Sequence, residues 1–223
     1  MVRQWWLRLR AGARLTLRLL ADIPRILQIL VQEIQRYGVR VATLYTVDHV
    51  YRLATGAPVA RFSRVVPGVH IGGQYTLSGW RRLQARGVTA VVNLRDEFDD
   101  AVAGIAPDCY LFLPTVDDTP PSVAQLWQGV RFIEDQIRHG GEVYVHCMLG
   151  VGRSATLVIA YLIASGMSFD EALATLRYRR PFIQPTASQE ARLREFEADV
   201  ARIGTVGERA AVEQATAELF TNS

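Results

Sequence analysis

The chain reads as an α/β protein: a central, mostly parallel sheet flanked by helices, with an N-terminal helical extension. Three observations predict this. Residues 62–203 alternate short apolar runs with longer amphipathic ones, the pattern of strands and helices packed in layers. The apolar run 142–147 enters a glycine-containing loop and a helix-forming run leaves it, which is how such folds present backbone N–H groups to an anion. Residues 1–55 differ in composition, with arginines set among large apolar side chains and few acids.

In chain order, a short strand is expected over 69–72. Ser78 is the expected cap of a helix that stops at Gly87, and the strongly apolar run 89–94 reads as a buried strand. Another strand covers 109–113. Ser122 opens a helix in which Leu126, Val130, Ile133 and Ile137 recur at helical spacing, closed by Gly140. Residues 143–146 form the strand that feeds the loop, and the helix after Arg153 ends at Gly166. Ser168 and Glu171 have capping-box spacing for a helix over 168–178. Thr186 and Gln189 repeat that spacing after a loop bracketed by Pro181 and Pro185. The expected organisation is an extension over 1–55, a linker over 56–61, a compact unit over 62–203 and a polar, Ala-rich tail over 204–223.

Hydrophobic residues make up 49% of the 223, enough for a real core and against a disordered chain. Two cysteines make no disulfide framework. Cys109 reads as a buried small hydrophobe, with a redox partner for Cys147 as the alternative. The formal net charge is only +3, with every basic residue an arginine, and no nucleic-acid partner is expected.

The chemistry lies in His146-Cys147-Met148-Leu149-Gly150-Val151-Gly152-Arg153-Ser154. A thiol attacks phosphorus only as thiolate, and helix N-termini and neighbouring arginines favour that form. The same donors then hold phosphoryl oxygens: the amides of Met148, Leu149, Gly150, Val151 and Gly152, and the planar fork of Arg153, which lysine does not copy. The two glycines let the loop fold tightly. Ser154 donates to the sulfur and eases its departure from a phospho-cysteine. His146 orients the loop by hydrogen bonding. The bland alternative is a buried structural thiol beside a capping arginine. A cysteine, five residues, then Arg-Ser, held between a strand and a helix, is a far rarer pattern.

This stretch resembles the signature of the cysteine-dependent protein tyrosine and dual-specificity phosphatases: cysteine, five residues, arginine, then serine or threonine. The resemblance covers about residues 62–200. Low-molecular-weight phosphatases carry their cysteine near the chain start and match less well. The resemblance implies a dual-specificity-phosphatase-like sheet, a phosphoprotein substrate and a two-step hydrolysis without metal or cofactor. It also implies an aspartate as proton donor on a loop some thirty residues before the cysteine. In Val116-Asp117-Asp118-Thr119-Pro120-Pro121, Asp117 is the expected donor and Asp118 the fallback; plain turn chemistry is the alternative for both. Gln189 orients water in some relatives, which competes with its reading as half of a capping box. Many relatives carry an asparagine where Thr186 or its neighbours lie, and its absence leaves the support of the loop open.

Arg95-Asp96-Glu97 follows a strand, where sites of open α/β sheets gather. Such an acidic loop rims the pocket in mitochondrial lipid phosphatases, which the chain also resembles. A solvated loop is the favoured reading here.

In the extension, Arg3, Arg8, Arg10, Arg14, Arg18 and Arg25 meet one acid, Asp22, before Glu33. Trp5, Trp6, Leu9, Leu20, Ile23, Leu27, Leu30 and Ile34 line one side of one or two helices. Arg18, Asp22, Pro24 and Arg25 interrupt any run long enough to span a bilayer. Three readings stand side by side: peripheral membrane contact through residues 1–34, helices packed on the catalytic unit or on a second copy, and an arginine-rich organelle-targeting peptide. A thiolate nucleophile needs a reducing compartment, so the cytoplasm is expected, with a membrane-surface location and mitochondrial targeting left open. Beside a phosphoprotein, the alternative substrate is a phospholipid headgroup phosphate. A silent phosphate-binding module and a rhodanese-type sulfur transferase fit less well, given the intact Cys147, Arg153 and Ser154.

Overall fold

The computed structural model describes residue 34 and residues 38–204. The expectations for residues 1–33 and 205–223 lie outside these. The chain divides into two compact units, residues 1–46 and 47–223. Residues 38–46 of the first are helical, and in the second residues 47–55 form a helix, α1. After it come α2 (Ala60–Ser63), β1 (Arg64–Val66), β2 (Val69–Gly72), α3 (Leu77–Gln84), β3 (Val88–Arg95) and β4 (Cys109–Thr115). The order closes with α4 (Val123–Arg138), β5 (Glu142–His146), α5 (Arg153–Ala164), α6 (Phe169–Arg179) and α7 (Ala187–Ile203). Composition places a boundary after residue 55 and a linker over 56–61. In the structure residues 47–61 belong to the second unit, and Gly56, Ala57 and Pro58 are buried there.

The five strands lie in the order β1-β2-β5-β3-β4. β1 pairs with β2 antiparallel, while β2, β5, β3 and β4 run parallel. Period-2 alternation sorts the side chains between two faces. Val143 and Val145 of β5, with Ala90, Val92 and Leu94 of β3, join the larger core. Tyr144 and Val91 join a smaller cluster with Leu83 of α3 and Ala57. The register sets Val91 opposite Tyr144 and Val92 opposite Val145, so the alternation stays in phase across the sheet.

α5 fills the larger core. Eleven of its twelve residues are buried, which suits a helix with α4, α6 and α7 packed around it. α4 is amphipathic, burying Leu126, Val130 and Ile133. It approaches α5 closely at Gly129, where a Cβ would come within 2.5 Å of Leu157 Cδ1. The capping boxes at Ser122, Ser168 and Thr186 all form.

Two local expectations are corrected. The cap of α3 is Thr76, whose side chain accepts from the Gly79 amide, and Ser78 lies inside the helix, bonded to Thr76 at 2.9 Å. Cys109 is exposed, because it begins the edge strand β4. It cannot protect Cys147 by a disulfide within this fold. Cys109 stands level with Val143 through Ala90, and Cys147 lies four residues further on, about 13 Å along the strand direction.

The close packing at Gly129 is open to test by urea denaturation. Leu157→Ala should cost about 2–5 kcal/mol through the cavity it leaves. Gly129→Val should cost about 1–3 kcal/mol through overpacking.

Candidate active site

The loop of residues 147–152 leaves the carboxyl end of β5 and runs into the N-terminus of α5. Its carbonyls are each held from outside. Met148 O accepts from the Gln74 amide (3.1 Å) and Val151 O from the Gln184 amide (2.8 Å). Arg180 donates through Nη2 to Leu149 O (3.3 Å) and through Nε to Gly150 O (2.8 Å). A peptide plane points its N–H opposite to its C=O. Outward carbonyls therefore turn the amides of the following residues inward, toward Cys147. The Gly150 amide donates to Cys147 Sγ at 3.3 Å. Among the described residues, the amides of Leu149, Val151 and Gly152 donate to no protein group. Gly150 has φ +76°, and a Cβ there would stand 2.3 Å from the Gly72 carbonyl carbon. Only glycine lets the loop lie this close to the end of β2.

Cys147 is 3% exposed, and its sulfur lies 3.4 Å from Ser154 Oγ. Arg153, at the first position of α5, is 1% exposed. Its Nη1 donates to Thr115 O (2.9 Å) and to Glu97 Oε2 (2.8 Å), and its Nη2 donates to Glu97 Oε1 (3.2 Å). Asp96 Oδ1 lies 3.4 Å from Nη1. Asp117 Oδ1 lies 3.0 Å from Nε, yet the N–H is not aimed along that line, and Nε is a buried donor with no hydrogen bond. An orphaned guanidinium N–H beside inward amides is what an anion would satisfy. Burial works to lower the Arg153 pKa; the Glu97 hydrogen bond and the charges of Cys147, Asp117 and Glu97 outweigh it and raise it. Burial would raise Glu97, but hydrogen bonds from Arg153, its own backbone and Arg95 hold its carboxyl well below the usual carboxylate range.

The Arg95-Asp96-Glu97 segment is thus no merely solvated loop: it ends β3, next to β5, where the sheet itself aims it at Arg153. A continuous chain of hydrogen bonds runs from it to His146. Arg95 donates to Glu97 and to Gln74 Oε1, both at 2.8 Å, and Gln74 Nε2 donates to Asp100 Oδ1 at 2.8 Å. His146 Nε2 donates to Asp100 Oδ2 at 2.8 Å, and both side chains are fully buried. Burial would raise the Asp100 pKa, but the bonds and charge of His146 and the Gln74 bond lower it overall.

The loop carrying Asp117 is tied down by its neighbour. Asp118 has φ +60°, a left-handed conformation that Asp tolerates. Its carbonyl accepts from Thr186 Oγ1 (3.1 Å) and Ser188 Oγ (3.4 Å) at the start of α7. Gln189, 1% exposed, completes the capping box through Oε1 and donates from Nε2 to Thr119 O at 2.9 Å. It therefore keeps one amide hydrogen for anything else. Its Oε1 stands 3.3 Å from where a Gly152 Cβ would lie, which places it against the loop.

Asp100, Arg180 and Asp48 escaped the sequence reading. Nothing local marks them: each meets its partner in the loop network across at least 30 positions of chain. Asp100 alone had a signal in the sequence, as the last of four acids crowded into residues 96–100.

The depressed Asp100 carboxyl gives a pH test. Its contribution to stability is complete above the unfolded value, about 3.9, and is lost as pH falls through the folded value below it. In thermal melts, the wild-type Tm should fall steeply on acidification through that range. Asp100→Asn should start lower, by about 1–3 kcal/mol, and show a flatter acid limb.

The family model "Dual specificity phosphatase, catalytic domain" matches residues 69–199. Human dual specificity protein phosphatase 1 is 31% identical over 147 residues, which are 65% of this chain and 38% of that protein. Human dual specificity protein phosphatase 22 is 28% identical over 137 residues, 60% of this chain and 73% of that protein. The chain thus spans well under half the length of the first of these relatives. Among solved structures, PTPMT1 in complex with PI(5)P is similar at 30% identity and a TM-score of 0.57, covering 63% of this chain and 97% of that one. The matched span runs from β2 through most of α7 and contains the cysteine loop, its arginine and the Asp117 loop, and the chain belongs to the dual specificity phosphatase catalytic-domain family.

Proposed function

We propose that the protein hydrolyses phosphomonoesters on phosphoproteins, on phosphotyrosine or phosphoserine/threonine, through a phospho-cysteine. The observation that carries this reading is a Cys147 sulfur that accepts from the Gly150 amide, in a loop whose outward carbonyls turn its amides inward, with the charge of Arg153 close by and its Nε making no hydrogen bond. In the first step the Cys147 thiolate attacks phosphorus, a P–S bond forms and the P–O bond to the leaving group breaks. The phosphoryl oxygens take the loop amides and the Nε and Nη2 of Arg153. An anion on Nε displaces the Asp117 carboxylate, which takes up a proton from solvent and gives that proton to the leaving oxygen. In the second step Asp117 takes a proton from water, the water oxygen attacks phosphorus, and the P–S bond breaks. Ser154 stabilises the departing sulfur, and the remaining hydrogen of Gln189 is available to orient the water.

Cys147→Ser should abolish turnover of para-nitrophenyl phosphate while the folded variant still binds inorganic phosphate analogues. Turnover at the wild-type rate would sink the mechanism. Asp117→Ala should slow the first step by about 10²–10⁴-fold, and Asp118→Asn, which removes the charge but tolerates the left-handed turn, should not.

A phospholipid headgroup is the second reading, favoured by one observation: the similar PTPMT1 structure holds PI(5)P. Against it, the loop side chains Met148, Leu149 and Val151 supply no cation for further phosphates. The two readings separate by comparing phosphopeptides with phosphoinositide-containing vesicles, with and without residues 1–46. Vesicle turnover that exceeds peptide turnover and needs residues 1–46 would favour a membrane-surface enzyme over a cytoplasmic protein phosphatase.

A further inference from the structure

We infer that α1, which lies N-terminal to the span matched by the family model, is a working part of the anion loop: Asp48 positions Arg180, and Arg180 positions the loop amides. The inference rests on the reading of residues 147–153 as the phosphate site.

Arg180 is fully buried, and Asp48 is 3% exposed. Every nitrogen of the Arg180 guanidinium is committed. Nε donates to Gly150 O (2.8 Å) and Nη1 to Phe62 O (3.2 Å). Nη2 is shared between Asp48 Oδ2 (2.9 Å) and Leu149 O (3.3 Å). The guanidinium plane lies over the Phe182 ring, 4.4 Å from its centroid. Asp48 is fixed in turn, since its Oδ1 accepts from the Val59 amide at 2.8 Å. One turn further along α1, Arg52 Nη1 donates to Gln74 O at 2.8 Å, and the Gln74 amide holds Met148 O at 3.1 Å.

The consequence follows peptide by peptide. The plane that contains Leu149 O also contains the Gly150 N–H, which donates to the Cys147 sulfur. The plane that contains Gly150 O carries the Val151 N–H, and the plane of Met148 O carries the Leu149 N–H. α1 therefore sets the direction of three successive amides without touching the anion. A buried ion pair is a poor device for stability alone, because desolvation offsets much of its attraction. Here the charge of Asp48 holds in place a fork whose other prongs meet carbonyls, and no apolar pair of that volume would do this. Asp48 and Arg180 are positioning residues.

The test uses the full-length chain and reads the loop without turnover. Inorganic tungstate affinity by calorimetry reports the amide cradle, and the rate of Cys147 alkylation by iodoacetate at mildly acid pH reports the sulfur. In Asp48→Asn with a cooperative thermal transition, tungstate Kd should rise and alkylation should slow, each by about tenfold. Asp48→Glu should recover part of both. Tungstate binding and alkylation within about twofold of wild type in folded Asp48→Asn would overturn the inference. Should Asp48→Asn fail to fold, Arg180→Lys, which keeps the charge opposite Asp48 but not the fork, decides by the same two criteria. A wild-type protein that binds tungstate and alkylates readily yet hydrolyses no phosphomonoester would sink the proposed function and leave this inference standing.

Discussion

Four consecutive carbonyls, from Met148 to Val151, are pulled away from Cys147 by donors outside the loop. Planarity of the peptide does the rest, delivering the following amides to one point. The sulfur, the helix N-terminus of α5 and the Arg153 guanidinium all depend on this arrangement. Were the carbonyls free to turn back, they would present negative ends to an anion and to a thiolate alike. The donors come from the segment after β2, from Arg180 at the end of α6, which Asp48 of α1 holds, and from the segment before α7. Elements that contribute no reacting atom thus hold the loop in its shape.

The second constraint is the charge of a buried arginine. Arg153 is anchored by backbone oxygens on one side and by Glu97 on the other, and Glu97 is held by Arg95. Arg95 continues through Gln74 and Asp100 to His146, at the start of the same loop. Buried polar groups joined in this way orient one another, and the loss of one member leaves its neighbours unsatisfied. The network gives the loop a fixed base, while Nε of Arg153 is left without a hydrogen bond beside Asp117.

Much of the architecture was legible because its causes are local. Strands β2, β3 and β5 and helices α4 to α7 announce themselves through apolar periodicity, capping pairs such as Ser122 with Gln125, and glycine stops such as Gly140. Cys109 looked like a core residue because a strand's sequence does not say whether it lies at the sheet's edge. Gly56-Ala57-Pro58 looked like a linker because turn chemistry is the same on the surface and in a buried corner. The acidic segment 95–97 looked solvated because its partner, Arg153, lies 56 positions further along the chain.

By itself the sequence determined the α/β class and the spacing of cysteine, glycines, arginine and serine, all of which reside within a dozen consecutive residues and act through local backbone geometry. Only the tertiary structure decided which of two adjacent aspartates stands beside Arg153. Asp118 is taken into a left-handed turn whose carbonyl is bound by α7, and that turn leaves Asp117 facing the guanidinium. The same holds for Asp48, Asp100 and Arg180, whose work is done entirely by contacts between elements. Hydrogen-bond partners separated by scores of residues leave no periodicity in a single chain, so their roles emerge only when the sheet and its helices have brought them together.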